Sequence, residues 1–138
     1  MARFKFLFSV KTKRMTKQEH YQTLLDSLDF FETKIQILEA TFDAWFAMVR
    51  LYEMEAPVDP DLLKQGMEPA YNDLNLYYTK QLNTIELLIV FHESEKYNSE
   101  VELKLADDFL IPFKDATYDL MNARKRAKDR SWEILNKK

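Results

Sequence analysis

The sequence predicts an all-α fold: an antiparallel bundle of three long helices preceded by an N-terminal arm. Three observations predict it, namely a continuous heptad repeat, a near absence of glycine, and signals for helix starts and stops. The chain has 138 residues, one glycine and no cysteine. This length suits one domain, and the lack of glycine disfavours turn-rich β folds and glycine-rich nucleotide loops. We therefore divide the chain into an arm, residues 1–15, and one helical domain, residues 16–138.

The first helix is predicted over about residues 17–54. Large apolar side chains recur there at alternating steps of three and four, which places them on one stripe of an α-helix. They are Tyr21, Leu24, Leu28, Phe31, Ile35, Leu38, Phe42, Trp45, Val49 and Tyr52. Thr16 and Glu19 match a capping box at its start, and Pro57 follows its end.

The second helix is predicted over about residues 60–93, with Asp59 as its N-cap. Gly66 and Pro69 interrupt this segment early. Either a short helix over residues 60–66 precedes the main helix, or the main helix carries an early kink.

The third helix is predicted over about residues 100–137. Ser99 and Glu102 match a second capping box. Pro112 lies inside the segment and should kink or divide the helix.

The charge pattern supports an up-down-up connection of the three helices. Residues 1–18 carry +6 and residues 122–138 carry +5, which leaves −14 for the middle of the chain (7 basic and 21 acidic residues). In an up-down-up bundle the basic C-terminal end lies beside the acidic residues that follow the first helix, including Glu53. The basic arm then lies beside the acidic loop over residues 92–102. A rival topology, with the second and third helices fused into one rod, would separate the C-terminus from Glu53.

A second apolar row on the first helix allows two interpretations. It consists of Phe30, Ile37, Ala44 and Leu51, beside the heptad stripe. In one interpretation the stripe faces the second helix and this row faces the third. In the other, a partner helix or a second copy of the chain docks on the row and on Phe46. We take Phe30, Ile37, Phe46 and Leu51 as candidate interface residues.

The arm alternates aromatic and basic residues. Phe4, Phe6, Phe8 and Val10 occupy every second position, which indicates an extended segment. The same residues could form a basic amphipathic helix on a membrane surface. A third interpretation folds the arm back on its own bundle.

Basic side chains at both ends of the chain are candidates for contact with an anionic surface. They are Arg3, Lys5, Lys11, Lys13, Arg14, Arg124, Lys125, Arg126, Lys128 and Arg130. Cations near a helix C-terminus are also favoured by the helix dipole, without any ligand. The strongly acidic body disfavours binding of nucleic acid.

The residue pattern predicts no catalytic, metal-binding or cofactor-binding set. Without cysteine there is no thiol nucleophile. His20 and His92 lie far apart, and neither follows a glutamate by three residues as in di-iron bundles. We expect surface or helix-end roles for both histidines. The chain is therefore expected to be non-enzymatic, with no cofactor and no small-molecule substrate.

Residues 107–114 and 122–129 read DDFLIPFK and NARKRAKD. They resemble part of a BAR domain, a family of long proline-kinked helices that form crescent-shaped dimers on curved anionic membranes. The resemblance implies that the basic residues of the third helix contact lipid, and that the arm corresponds to the amphipathic N-terminal segment of some members. The chain is shorter than typical members of that family.

The sequence favours a non-enzymatic scaffold, adaptor or assembly subunit that binds a protein partner or a second copy of itself. The alternatives are a BAR-like peripheral membrane binder and a nucleic-acid-binding accessory protein. No stretch is apolar for the length of a transmembrane helix. The lack of cysteine fits an intracellular protein, soluble or peripheral to a membrane. The arm gives only weak support to organellar targeting.

Overall fold

Three long helices form the domain, as the sequence predicted. The computed structural model describes residues 16–94 and 106–137. They comprise α1 (Lys17–Glu53), α2 (Pro60–Glu93), a π-helical turn (Ala106–Leu110) and α3 (Ile111–Asn136). The arm, residues 1–15, and the predicted capping box of Ser99 and Glu102 lie outside the described residues.

Local hydrogen bonds set both ends of α1. The Thr16 hydroxyl accepts from the Glu19 amide at 3.1 Å, and the Glu19 carboxylate accepts from the Thr16 amide at 2.8 Å. This reciprocal pair is the predicted capping box. At the other end Glu55 has a φ of 68°, and the Ala56 amide donates to the Leu51 carbonyl at 3.0 Å. This left-handed backbone conformation, which is uncommon for residues other than glycine, ends the helix and turns the chain towards α2.

The helix α2 passes unbroken through Gly66 and Pro69, so a separate helix over residues 60–66 is wrong. Close packing accounts for the glycine, because a Cβ atom at Gly66 would overlap the indole ring of Trp45 on α1. Glycine is a poorer helix former than alanine by roughly 1 kcal/mol, but at this position it leaves room for the indole ring. A bend at Pro69 stays a prediction.

Prolines mark the starts of α2 and α3. Pro60 lies in the first turn of α2, behind Asp59, whose carboxylate accepts from the Asp61 amide at 3.0 Å. Pro112 lies in the first turn of α3, directly after the π turn. Proline lacks an amide hydrogen, and the first turn of a helix needs none. The predicted interruption at Pro112 therefore takes the form of a change from π-helical to α-helical hydrogen bonding.

The buried face of α1 is the predicted heptad stripe. Four of its members, spaced seven residues apart, are at most 7% exposed: Leu28, Ile35, Phe42 and Val49. The other members of the stripe are half-buried. The regular spacing thus predicted which side of α1 meets the other helices.

The core consists of two clusters at opposite ends of the bundle. The cluster around Phe42, Leu74 and Ile134 lies where α1 turns into α2, and we call this the closed end. The cluster around Leu28, Leu88 and Leu110 lies where α1 begins and α2 ends, and we call this the open end. Full burial of one such side chain stabilises a fold by roughly 1.5–3 kcal/mol, so both clusters contribute substantially.

Two contacts between helices establish the direction of each helix. The Tyr21 hydroxyl, early in α1, lies 3.0 Å from His92 Nε2, late in α2, so these helices are antiparallel. Arg130, late in α3, lies 2.7 Å from Glu53 at the end of α1, so α3 returns parallel to α1. The predicted up-down-up topology is confirmed, and the fused rod is wrong.

Candidate functional site

Three of the four candidate interface residues are exposed on α1. Phe30 is 57% exposed, Ile37 59% and Leu51 49%. Small or flexible apolar side chains are exposed beside them. We call the whole set the outer face of α1: Phe30, Ile37, Ala40, Ala44, Ala47, Leu51 and Met54.

The outer face does not meet α3, so the interpretation that the second row packs on α3 is wrong. The helix α3 contacts α1 through Glu39 and Glu53, which lie near Arg124 and Arg130. Both glutamates lie about 70° around the helix from the heptad stripe, whereas the second row lies about 130° away on the other side. These angular positions place α3 and the outer face on opposite flanks of α1.

Phe46 differs from the other candidate interface residues because it belongs partly to the core. It is half-buried at the closed end. Its ring stacks on the Phe42 ring, with 6.4 Å between centroids and 6° between planes. Phe46 follows Phe42 by one helical turn, which brings it to the same side of α1. Its use in binding stays a prediction.

An aromatic cluster with two lysines borders the outer face near Phe30. The Phe31 ring lies 5.8 Å from the Phe30 ring and 6.0 Å from the Tyr77 ring of α2. Lys34 and Lys80 place their ammonium groups 5.8 Å and 5.1 Å from the centroid of Tyr77. Cations are attracted to aromatic faces at these distances. This lysine-bearing edge was not found from the sequence, because it joins residues of two helices.

A polar cluster ties all three helices together. Tyr78 on α2 donates a hydrogen bond to Glu39 on α1. Arg124 on α3 lies 3.1 Å from Asp43 and 3.9 Å from Glu39. Burial raises the pKa of the Tyr78 hydroxyl, and the hydrogen bond and negative charge of Glu39 raise it further. The hydroxyl therefore remains a hydrogen-bond donor, and this cluster serves to hold the helices together.

Two of the basic residues predicted to contact an anionic surface are already engaged across helices. The Arg124 side chain is only 19% exposed and pairs with Asp43. Arg130 pairs with Glu53 at 2.7 Å and with Glu133 at 3.3 Å. The contact between Arg130 and Glu53 confirms the expected meeting of the basic C-terminal end with acidic residues at the end of α1.

The remaining basic residues of α3 point in different directions. Lys125 lies 3.9 Å from Asp129 on its own helix. Lys128 lies 5.2 Å from the centroid of the Tyr71 ring on α2, and Arg126 is exposed. The predicted basic residues of the arm, from Arg3 to Arg14, lie outside the described residues.

The two histidines lie at the open end, His20 near the start of α1 and His92 in the last turn of α2, as expected of residues near helix ends. His92 is 4% exposed rather than on the surface, with its Nε2 atom 3.0 Å from the Tyr21 hydroxyl. His20 is exposed, with its ring edge-on to Phe91 at 6.3 Å. His92 is buried because it continues the face of α2 that carries Ile89 three residues earlier and Ile85 seven residues earlier, both in the core. That periodicity was the signal for its burial.

Within residues 16–94 and 106–137, no helix is apolar over enough of its length to span a bilayer. In the same residues, no group of three or more histidine, aspartate or glutamate side chains is arranged to hold a metal ion. Comparison of the chain with protein-family models, curated proteins and solved structures gave no match.

Proposed function

We propose that this protein is a non-enzymatic scaffold or assembly subunit whose outer face of α1 binds an α-helix of a partner protein or of a second copy. The observation that carries the proposal is the exposure of Phe30, Ile37 and Leu51 on one side of a single helix. Contiguous exposed apolar surface of this kind is typical of sites of interaction.

The shape of the outer face favours a helix as its ligand. Ile37 and Met54 lie about 26 Å apart along the axis, or nearly five helical turns. The exposed residues between them include Ala40, Ala44 and Ala47. Small side chains allow two helices to approach closely, and larger residues at both ends supply the apolar contact.

The edge of the outer face adds a charge preference. Lys34 and Lys80 lie beside Phe30 and Phe31, around the Tyr77 ring. A helix docked on the outer face would place one of its ends near these lysines. An acidic residue there would be attracted by both cations, so we expect an amphipathic helix with acidic residues at that end.

The matched test compares two pairs of exposed apolar residues. Ile37→Glu with Leu51→Glu alters the outer face, whereas Leu76→Glu with Leu87→Glu alters exposed positions on α2. Sedimentation velocity over a range of concentrations measures self-association, and a pull-down with each variant measures partner binding. We expect the α1 pair to lose the association while the α2 pair keeps it.

Two results would overturn the proposal. One is a wild-type protein that sediments as a monomer at every concentration and retains no partner. The other is equal loss of association in the two variant pairs, which would show that general surface apolarity, rather than the outer face, drives binding.

The alternative function, a BAR-like peripheral membrane binder, depends on the basic arm and on α3. Because Arg124 and Arg130 pair with carboxylates of α1, α3 offers less free positive charge than its sequence suggests. Sedimentation with anionic liposomes at low salt distinguishes the two functions: pelleting of the wild-type protein supports membrane binding, and its absence removes that alternative.

A further inference from the structure

Two neighbouring cavities lie at the open end. The first is bordered by α1, α2 and the π turn, and the second by α1, the π turn and the start of α3. The first has a volume of about 190 Å³ and is bordered by Leu25, Leu28, Leu88, His92, Phe109 and Leu110, together with Tyr21. The second has a volume of about 360 Å³ and is bordered by Glu32, Asp108, Phe109, Pro112 and Phe113. Phe109 borders both cavities and is itself 56% exposed. We call the two cavities together the Phe109 groove.

The first cavity fits an aromatic ring. Its walls are almost entirely apolar, and a protein cavity of about 150 Å³ is already large enough to bind benzene. His92 is 4% exposed, and its Nδ1 atom is buried without a hydrogen-bond partner in the described part of the chain. Because that nitrogen is buried and the cavity surface is apolar, an apolar ring rather than a polar group suits this cavity.

The second cavity favours a cation. Glu32 and Asp108 are its charged residues, and both are acidic and exposed. Neither forms an ion pair with another described residue. The groove as a whole therefore matches a segment that carries aromatic rings together with positive charge.

The N-terminal arm of this chain has that composition. Residues 1–15 contain Phe4, Phe6 and Phe8 at every second position, with five basic residues and no acidic one. In an extended segment, alternate side chains point to the same side, so the three rings would share one face.

The arm is also long enough to reach the groove from its point of attachment. It joins the domain at Thr16, the N-cap of α1, and Tyr21 at the border of the first cavity lies little more than one turn further on. Glu32 lies about 24 Å from Thr16 along the axis of α1. Fifteen extended residues span up to about 50 Å, so the chain can turn back and lie along the groove.

We propose that the arm docks into the Phe109 groove of its own chain. An aromatic ring of the arm occupies the apolar cavity beside His92, and the basic side chains lie against Glu32 and Asp108.

A single spin label tests this arrangement in the full chain. Because the protein has no cysteine, Ser9→Cys provides one thiol for a nitroxide, and Thr12→Cys provides a second, independent position. We expect loss of most of the NMR signal intensity for amides that border the groove, such as Leu28 and Leu88. Amides of Val49 and Leu63 at the closed end should keep their intensity.

Two pairs of substitutions separate the contributions of the rings and the charges. Phe6→Ser with Phe8→Ser removes rings but keeps the charge of the arm, and should restore the groove signals. Glu32→Gln with Asp108→Asn should restore them partly. The control pair, Asp61→Asn with Glu68→Gln, removes the same charge from exposed sites on α2 and should have no effect.

Several outcomes would overturn the proposal. If the amides that border the groove keep their signal intensity, or if amides at both ends lose it equally, docking of the arm in the groove is excluded. Isotope-labelled protein can also be mixed with separate, spin-labelled protein. If the groove signals are lost only in this mixture, the arm of a second copy occupies the groove. Signal changes that require anionic phospholipid vesicles assign the arm to a membrane surface instead.

Discussion

The two ends of the bundle are built differently, although the same three helices form both. At the closed end Phe42 is fully buried, and ion pairs such as Arg124 with Asp43 join α3 to α1. At the open end two cavities lie between α1 and the π turn, and Phe109 is 56% exposed. The closed end also has a cavity, of about 550 Å³, but charged residues such as Glu53, Arg130 and Lys137 border it. The comparison teaches that the two ends differ in the lining of their cavities, because the cavity beside Leu28 and Leu88 at the open end is almost entirely apolar.

The largest expected effect comes from replacing one phenylalanine at each end of the bundle with alanine and comparing the two losses of stability. Phe42→Ala should lower the free energy of unfolding by about 3–5 kcal/mol, because it leaves a cavity in a packed core. Phe109→Ala should lower it by about 1 kcal/mol or less, because much of the ring is exposed. Urea denaturation followed by circular dichroism measures both values. Equal losses would show that the two ends are equally well packed.

A second comparison concerns the two arginines that join α3 to α1. Arg124→Met should lower the free energy of unfolding by about 1–3 kcal/mol, because it leaves the partly buried Glu39 carboxylate without its cation. Arg130→Met should lower it by less than about 1 kcal/mol, because that side chain is half exposed and screened by water. Denaturation at low and high salt measures both losses in the free energy of unfolding. A larger loss for Arg130→Met than for Arg124→Met would contradict the expectation.

Gly66 tests how tightly α1 and α2 pack at the closed end. Gly66→Ala should lower the free energy of unfolding by about 1–3 kcal/mol, because the new methyl group overlaps Trp45 and overpacking outweighs the gain in helix propensity. Adding Trp45→Phe should recover part of the loss in a double-mutant cycle of thermal unfolding. A stabilised Gly66→Ala variant would show that the indole moves aside at little expense.

The smallest expected effect is a dependence of stability on alkaline pH. Burial raises the pKa of Tyr78 above its ordinary value of 10.0, as do the hydrogen bond and charge of Glu39. Above about pH 10 the unfolded chain loses this proton while the folded protein retains it, so stability should fall as the pH rises. Tyr78→Phe should show a shallower fall in melting temperature over the same range. Parallel curves for the two proteins would contradict the assignment.

Local signals in the sequence were sufficient for the helices themselves. The spacing from Tyr21 to Tyr52 predicted the buried side of α1, and Thr16 with Glu19 predicted its first turn. These predictions held because helical periodicity and capping depend on residues within one or two turns of each other. The basic C-terminal end and the acidic residues after the first helix also predicted the up-down-up topology, since Arg130 and Glu53 must meet in it.

The candidate binding site was only partly predictable for the same physical reason. Phe30, Ile37 and Leu51 were identified from their spacing, but their exposure depends on which flank of α1 receives α3. Phe46 was added to them as a nearby apolar residue outside this spacing, and it is half-buried against Phe42. One helix viewed alone cannot distinguish these cases, because both flanks adjoin its buried stripe.

By itself the sequence determined the number of helices, their approximate limits, the buried side of α1 and the order of connection. Only the tertiary structure decided that α3 packs beside Glu39 rather than the second apolar row, that His92 is buried, and that Phe109 borders two cavities. The first group of properties follows from interactions between near neighbours in the chain. The second follows from how three rods are rotated about their axes, and that rotation is set by contacts between residues far apart in sequence.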